Sequence, residues 1–238
     1  MSNLFGARTD HFDLTATGGA LETAAVVTES SKTPVAQDRS DAEDANGDIV
    51  ESAYFGNTSG NLYEISNTYQ LKSGQTIDLS TLKLGVLSTG VVAGDITVNT
   101  ANGGELPTIE VSGIMGNDPI ESNGLLKTFT LPAISILGAM RAQVMQFTTG
   151  SGRLTSSSFT ATIDIADASD GMGEIVAHGI SGGTTEISAD FVGITSAPSW
   201  TISGDFTITQ NPGEEEPQAD WQTGSGTAAG ILERDGSA

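Results

Sequence analysis

Apolar and polar residues alternate along most of the chain, which is the pattern of β-strands that bury one face. In the clearest run, Phe159, Ala161 and Ile163 alternate with Thr160 and Thr162. About ten such runs are separated by turns rich in Gly, Asn, Asp and Ser, a spacing typical of all-β domains. The pattern predicts a mainly β fold, either an antiparallel β-sandwich or a barrel.

One segment has helical spacing instead. From Pro132 onward, Ile136, Met140 and Val144 recur every fourth residue, with polar residues elsewhere on the helical wheel. Pro132 suits the first turn of a helix, and Gly150 suits a position shortly after its end. We therefore expect one flanking α-helix, over about residues 132–147, on an otherwise β fold.

The sequence also resembles itself at an offset of 126 residues. Asp38, Asp41, Ala42, Asp44, Gly47, Ile49 and Val50 match Asp164, Asp167, Ala168, Asp170, Gly173, Ile175 and Val176. Further on, Glu64-Ile65-Ser66 recurs as Glu186-Ile187-Ser188, after a loop that is shorter by four residues. A duplicated β unit, with halves over about 36–84 and 162–208, explains these matches. Chance similarity between acidic turns that precede strands is the alternative.

The two chain ends differ from the middle. Residues 1–20 have few strand signals and are predicted to form an N-terminal arm. Residues 21–210 make up the predicted β domain. Residues 211–238 begin with a Pro- and Glu-rich segment and continue in a Gly-, Ser- and Ala-rich run, so they are predicted to form a flexible C-terminal tail.

The chain is strongly acidic. Its 238 residues include 9 Lys and Arg against 30 Asp and Glu, a formal net charge of −21. Such a surface repels phosphates, which excludes conventional nucleic-acid binding and docking on an anionic membrane. Cysteine is absent, which excludes disulfides, thiolate metal sites and a cysteine nucleophile. Neither a secretion signal nor an apolar run long enough to cross a bilayer is recognisable, so we expect synthesis in the cytoplasm and no membrane partner.

Two acidic loops are the most conspicuous candidate sites. The first contains Asp38, Asp41, Glu43, Asp44, Asp48 and Glu51, and the second contains Asp164, Asp167, Asp170 and Glu174. Aligning Gly47 with the glycine of a calcium-binding EF-hand loop puts Ala42 and Ala53 where that loop needs its first and last ligands. We therefore predict no metal site, although incidental calcium binding between subunits stays open.

No catalytic constellation emerges. Residues 179–183 match the G-x-S-x-G pattern of hydrolase nucleophiles, but that chemistry needs a helix after the serine and a histidine later in the chain. A strand pattern follows Ser181, and His11 and His178 both precede it. A Ser181–His178 pair on another fold is the remaining alternative to a Gly-rich hairpin turn. Paired carboxylates such as Asp167 and Asp170 could serve glycoside hydrolysis, but aromatic residues for a sugar cleft are scarce. We predict no enzyme and no cofactor.

The order of elements resembles a known structural family. The run Asp38-Arg39-Ser40-Asp41-Ala42-Glu43-Asp44-Ala45-Asn46-Gly47-Asp48-Ile49-Val50, followed by Tyr63-Glu64-Ile65-Ser66-Asn67-Thr68-Tyr69, is similar to the acidic hairpin and strand that open bacteriophage tail-tube proteins. The helix predicted at 132–147 lies where that family, which includes the inner tubes of contractile machines, has its flanking helix. The resemblance covers residues 20–210 at the level of architecture.

The resemblance implies a virion protein that self-assembles into stacked rings around a channel for DNA. Rings in this family are usually hexameric, and a duplicated chain would make a pseudo-sixfold ring from three copies. An acidic lumen would let DNA pass without specific binding, and the acidic loops would line the channel or stack the rings. Other tail or virion proteins are the implied partners. The alternatives are a capsid decoration or head-fibre protein, and a carbohydrate-binding β-sandwich module.

Overall fold

A computed structural model describes residues 20–57, 59–88, 90–100, 106–116, 128–137, 147–148, 153–192, 199–200, 206–215 and 222–234. Within these ranges the chain has one short helix, α1 (Ala20–Ala24), a 3-10 turn (Leu79–Thr81) and seventeen strands. The strands are β1 (Ala25–Pro34), β2 (Gln37–Glu43), β3 (Ile49–Gly56), β4 (Tyr63–Leu71), β5 (Thr76–Asp78), β6 (Lys83–Ser88), β7 (Val91–Thr100), β8 (Thr108–Met115), β9 (Thr128–Thr130), β10 (Ser135–Leu137), β11 (Phe147–Thr148), β12 (Arg153–Ser169), β13 (Ile175–Val192), β14 (Ser199–Trp200), β15 (Phe206–Glu215), β16 (Gln222–Ile231) and β17 (Glu233–Arg234). The predicted mainly β, antiparallel fold is confirmed.

Eight strands lie side by side in one sheet, in the order β1-β4-β8-β7-β12-β13-β16-β15, and every neighbouring pair is antiparallel. The first four strands come from the N-terminal part of the chain and the last four from the C-terminal part. The strands of each group can be numbered one to four in chain order. In both groups they then lie side by side in the order one, two, four, three. The two groups meet where β7 pairs with β12.

The core lies on one side of this sheet. A row of directly opposed side chains crosses six strands and is at most 1% exposed: Tyr69, Ile109, Val98, Phe159, Ile187 and Ala228. Strands β6, β9 and β17 cover this side, since β6 pairs with β7 and β9, and β9 pairs with β17. Strand β17 follows β16 directly along the chain, through the buried Leu232. A closed circuit therefore runs through β7, β12, β13, β16, β17, β9 and β6, in which every link except β16–β17 is a strand pairing.

The helix predicted over 132–147 is wrong for its first turns. Ser135–Leu137 forms strand β10, in which Ile136 pairs with Ile77 of β5 and is fully buried. Ile134 is also buried, so a two-residue alternation of β-branched side chains prevails here over the four-residue spacing. Residues 138–146 of the predicted helix lie outside the described residues, and Phe147 is in strand β11.

The flexible tail predicted for 211–238 also needs correction. Strand β15 continues to Glu215, and β16 lies inside the sheet between β13 and β15. Its small residues lie inside the fold: Gly226 and Ala228 are buried, opposite Ala189 and Ile187 of β13. Backbone hydrogen bonds on both edges hold β16, and these bonds need no apolar pattern. Residues 216–221 and 235–238, and most of the predicted arm, lie outside the described residues.

Candidate functional site

The first acidic loop is the turn of the β2–β3 hairpin. A carboxylate oxygen of Asp44 accepts hydrogen bonds from the backbone N–H groups of Asn46 at 2.8 Å and Asp48 at 3.0 Å. The backbone of Asp44 also donates to the carbonyl of Asp48 at 2.9 Å, and Gly47 closes the turn at φ 84°. The backbone donors from Asp48 and Asn46 hold the pKa of Asp44 below its usual range. Asp44 is therefore a structural residue of the turn.

The second acidic loop is the turn between β12 and β13, and it has the same geometry. A carboxylate oxygen of Asp170 accepts from the backbone N–H groups of Met172 at 2.8 Å and Glu174 at 3.0 Å. The backbone of Asp170 donates to the carbonyl of Glu174 at 2.9 Å, and Gly173 has φ 77°. The two turns thus match bond for bond at the offset of 126 residues.

The strands that flank the two turns also match in register. The pairing shifts between Ala42 and Glu43 in the first hairpin, and between Ala168 and Ser169 in the second, again 126 residues apart. At the other end, bulges fall between Val27 and Glu29 in β1 and between Leu154 and Ser156 in β12.

Both bulges place a threonine at the extra position. Thr28 donates its hydroxyl to the carbonyl of Thr68, and Thr155 donates to the carbonyl of Asp190, each at 3.1 Å. Strand β1 therefore corresponds to the first part of β12, with an offset of 127 residues.

Each hairpin also has a corresponding polar contact across its strands. In the first, Asp41 accepts from the Ser52 hydroxyl and from the Arg39 guanidinium, each at 2.6 Å, and both bonds lower its pKa. In the second, Asp167 lies 2.8 Å from Nδ1 of His178, whose side chain is buried.

The Ser181–His178 pair that the sequence left open is not formed. Nδ1 of His178 contacts Asp167, and its Nε2 has no hydrogen-bond partner in the described residues. Residues 179–183 are also not the hairpin turn that the sequence predicted. They lie within the continuous strand β13, where the pairing shifts opposite Asp164.

The other predicted acidic residues are exposed on the hairpins. Asp38, Glu43 and Glu51 lie on β2 and β3, and Asp164 lies on β12. Within the described ranges β2 and β3 pair only with each other, off the eight-stranded sheet. Among the described residues no cluster of three or more His, Asp or Glu side chains could hold a metal ion. No described helix is long and apolar enough to cross a membrane.

The sheet itself carries a polar face that the sequence reasoning missed. Residues opposite each other in antiparallel strands point to the same side, so three rows of side chains cross the side away from the core. The rows are Glu29, Thr68, Glu110, Thr97, Thr160 and Glu186; Ser31, Ser66, Ser112, Asp95, Thr162 and Thr184; and Gln70, Thr108, Asn99, Ser158, Ser188 and Thr227. All of these are at least partly exposed, and none is apolar or basic. The same pairings continue onto exposed apolar residues at the margins, Ala229 and Ile231 in β16 and Val26 in β1.

In the sequence, this polar face is signalled by the polar residues that alternate with apolar residues along each strand. That alternation shows that Thr97 and Glu186 point away from the core, but their alignment depends on which strands are neighbours. Four carboxylates lie in the rows: Glu29, Asp95, Glu110 and Glu186. The acidity predicted for a lumen therefore has a candidate location on the sheet, separate from the hairpin turns.

No protein-family model matches the sequence, and no curated protein matches it.

Proposed function

We propose that the chain is a structural protein that assembles head to tail into rings of three copies, and that stacked rings form a virion tail tube. In this proposal the two halves of the chain are a duplicated unit, so three copies make a pseudo-sixfold ring. The polar face lines the channel, DNA passes through it without specific binding, and other tail proteins cap the tube.

The strand order carries this proposal. Within one chain, the last strand of the first group, β7, pairs antiparallel with the first strand of the second group, β12. At the ends of the eight-stranded path, β1 and β15 each have one strand edge unpaired among the described residues. In the duplicated arrangement β1 is the counterpart of β12, and β15 is the counterpart of β7. When β15 of one copy pairs with β1 of the next in the way that β7 pairs with β12, the sheet continues from copy to copy. It closes into a ring after a whole number of copies.

The orientation of the sheet in such a ring follows from its two sides. The core side carries a second layer that includes β6, β9 and β17, whereas the residues of the polar face stay at least partly exposed, with Ile165 of β12 beside the second row. The thicker side needs the larger circumference, so it lies outside and the polar face lies inside. Ser, Thr, Asn, Gln, Asp and Glu then make up most of the lining, with Val26, Ala229 and Ile231 at its margins.

This lining suits the passage of DNA. Carboxylates such as Glu110 and Glu186 repel phosphates over about 8 Å at physiological salt, the Debye length. A lumen with lysines in their place would release counterions from DNA and hold it. The acidic lining therefore permits sliding.

The proposal is tested by the size and shape of the assembled protein. Mass photometry of the purified chain is expected to show a species of three times the 24.3 kDa chain mass, about 73 kDa. Negative-stain averages are expected to show open rings with threefold symmetry, or tubes. A chain that stays monomeric at high concentration and salt, or rings of six identical subunits, would contradict the proposed assembly. Compact trimers without a channel would instead favour a decoration or head-fibre protein.

Charge reversal on the polar face is expected to make the tube retain DNA. Glu110→Lys with Glu186→Lys changes the charge of the exposed face by four units per copy, and DNA retention at low salt should rise about tenfold or more. The matched control is Glu43→Lys with Glu51→Lys, which makes the same change on the β2–β3 hairpin. Nuclease-protected DNA in assembled tubes is the readout, and equal protection in both variants would contradict an inward polar face.

A further inference from the structure

The tip of the second hairpin contacts the first half of the same chain. A carboxylate oxygen of Glu174 accepts hydrogen bonds from the backbone N–H of Ser59 at 3.1 Å and from its hydroxyl at 2.8 Å. Gly173 packs on Phe55, since a Cβ at Gly173 would lie 3.5 Å from Cβ of Phe55. The second turn is thus held against the loop that joins β3 to β4.

The tip of the first hairpin lacks this cover. Gly173, Glu174 and Ile175 are half-buried, whereas their counterparts Gly47, Asp48 and Ile49 are all exposed. The two turns have the same internal hydrogen bonds, so local conformation does not explain the difference. It arises because the second turn has a neighbouring half in its own chain, on the side where β7 and β12 join.

The matching surface for the first turn lies in the second half. The sequence Ser59-Gly60 is followed four residues later by Glu64-Ile65-Ser66, and Ser181-Gly182 is followed at the same spacing by Glu186-Ile187-Ser188. Ser181 therefore corresponds to Ser59. It is exposed, and it lies where the β12–β13 pairing shifts.

We propose that the β2–β3 turn of one copy docks on residues 181–182 of the neighbouring copy, with the Asp48 carboxylate on the Ser181 side. This inference rests on the proposed head-to-tail ring, and it identifies the second contact of each joint besides the β15–β1 strand pairing. In such a ring the joint between copies repeats the joint between the two halves of a chain, so the Glu174–Ser59 contact recurs between chains as an Asp48–Ser181 contact.

The apolar residues exposed on the first hairpin favour such a partner. Ile49 and Tyr54 of β3 are 53% and 56% exposed, whereas their counterparts at the offset of 126 residues, Ile175 and Ile180, are half-buried and buried. Docking of the turn on a neighbouring copy would remove part of this surface from water, and apolar burial is the main favourable term in association. A second copy of this chain is therefore the occupant that the hairpin suits.

Cysteine cross-linking tests the contact against a zero background, because the chain has no cysteine. Two single variants, Asp48→Cys and Ser181→Cys, are mixed, assembled and treated with a short bismaleimide. The mixture is expected to give a covalent species of two chains, about 49 kDa, while each variant alone stays largely uncross-linked. The positive control is one chain with both Ser59→Cys and Glu174→Cys, which should cross-link internally and keep the monomer mass.

Electron micrographs of the same samples distinguish the possible failures. Rings that form without the Asp48–Ser181 cross-link, while the Ser59–Glu174 control reacts, would overturn the docking contact and leave the ring standing. A mixture that forms no rings at all would overturn the proposed assembly and this contact with it. Rings that cross-link as strongly through Asp48→Cys alone would show a tip-to-tip contact and would also overturn the inference.

Discussion

Replacing Ser30 with proline is expected to leave the chain folded and to abolish ring formation. The corresponding residue in β12, Ser157, donates its backbone N–H to the hydroxyl of Thr100 on β7 at 3.1 Å, away from β13. By this correspondence the N–H of Ser30 points away from β4, toward the edge of β1 that pairs with no described strand. Proline removes that donor, and edge strands tolerate proline where the N–H faces outward.

The expected effect on assembly is large because it is repeated at every joint. An acceptor left unpaired in a buried joint costs about 1–3 kcal/mol, and a ring of three copies has three joints. Strand β15 also contains Pro212, which has no backbone N–H to donate. Mass photometry should show monomers of Ser30→Pro at concentrations where the unchanged chain is expected to form the proposed rings.

The neighbouring residue is the matched control. Backbone N–H groups alternate in direction along a strand, so the N–H of Ser31 points toward β4. Ser31→Pro is therefore expected to weaken folding itself, seen as a lower midpoint of urea unfolding, whereas Ser30→Pro keeps the unfolding midpoint of the unassembled chain. Rings of normal yield from folded Ser30→Pro would show that β1 takes no part in the joint.

Phe159→Ala is expected to cause the largest loss of folding stability among simple core substitutions. Phe159 is fully buried and lies opposite Val98 of β7 and Ile187 of β13, at the joint between the two halves. Truncating a buried phenylalanine to alanine costs about 3–5 kcal/mol, through lost transfer energy and the cavity that remains. Since domains are stable by only about 5–15 kcal/mol, the variant should be close to unfolded at 37 °C.

The adjacent residue again supplies the control. Thr160 is on the polar face, so Thr160→Ala should change the free energy of unfolding by less than about 0.5 kcal/mol. Guanidinium titrations of the unassembled chains, followed by circular dichroism, measure both effects. Equal stabilities for the two variants would mean that the faces of β12 are assigned in reverse.

Much of the fold class could be predicted because strand alternation is a local signal. Phe159 and Ala161 point to the core, and Thr160 and Thr162 point away from it, as their spacing indicated. The offset of 126 residues likewise pointed to the two turns, because Asp at the first position and Gly at the fourth are demanded by the turn's own hydrogen bonds and by positive φ.

Other elements could not be predicted because their state depends on distant partners. The segment that includes Ile136 has apolar residues at both helical and strand spacing, and pairing with β5 decides between them. The Gly- and Ser-rich β16 has no strand signal of its own, and its two neighbours supply the hydrogen bonds that order it. Neither partner is close in sequence.

By itself, the sequence determined the β class, the acidity and the chemistry of the two turns, because alternation, charge and turn hydrogen bonds involve residues close along the chain. Only the tertiary structure decided the order of the strands. It also aligned Glu110 with Thr97, and Thr160 with Glu186, in one acidic row, and it partly buried the tip of the second hairpin while the tip of the first stays exposed. These features depend on which strand edges pair across long sequence separations. Almost every residue has the same backbone donor and acceptor, so the local sequence does not show which strand will be the partner.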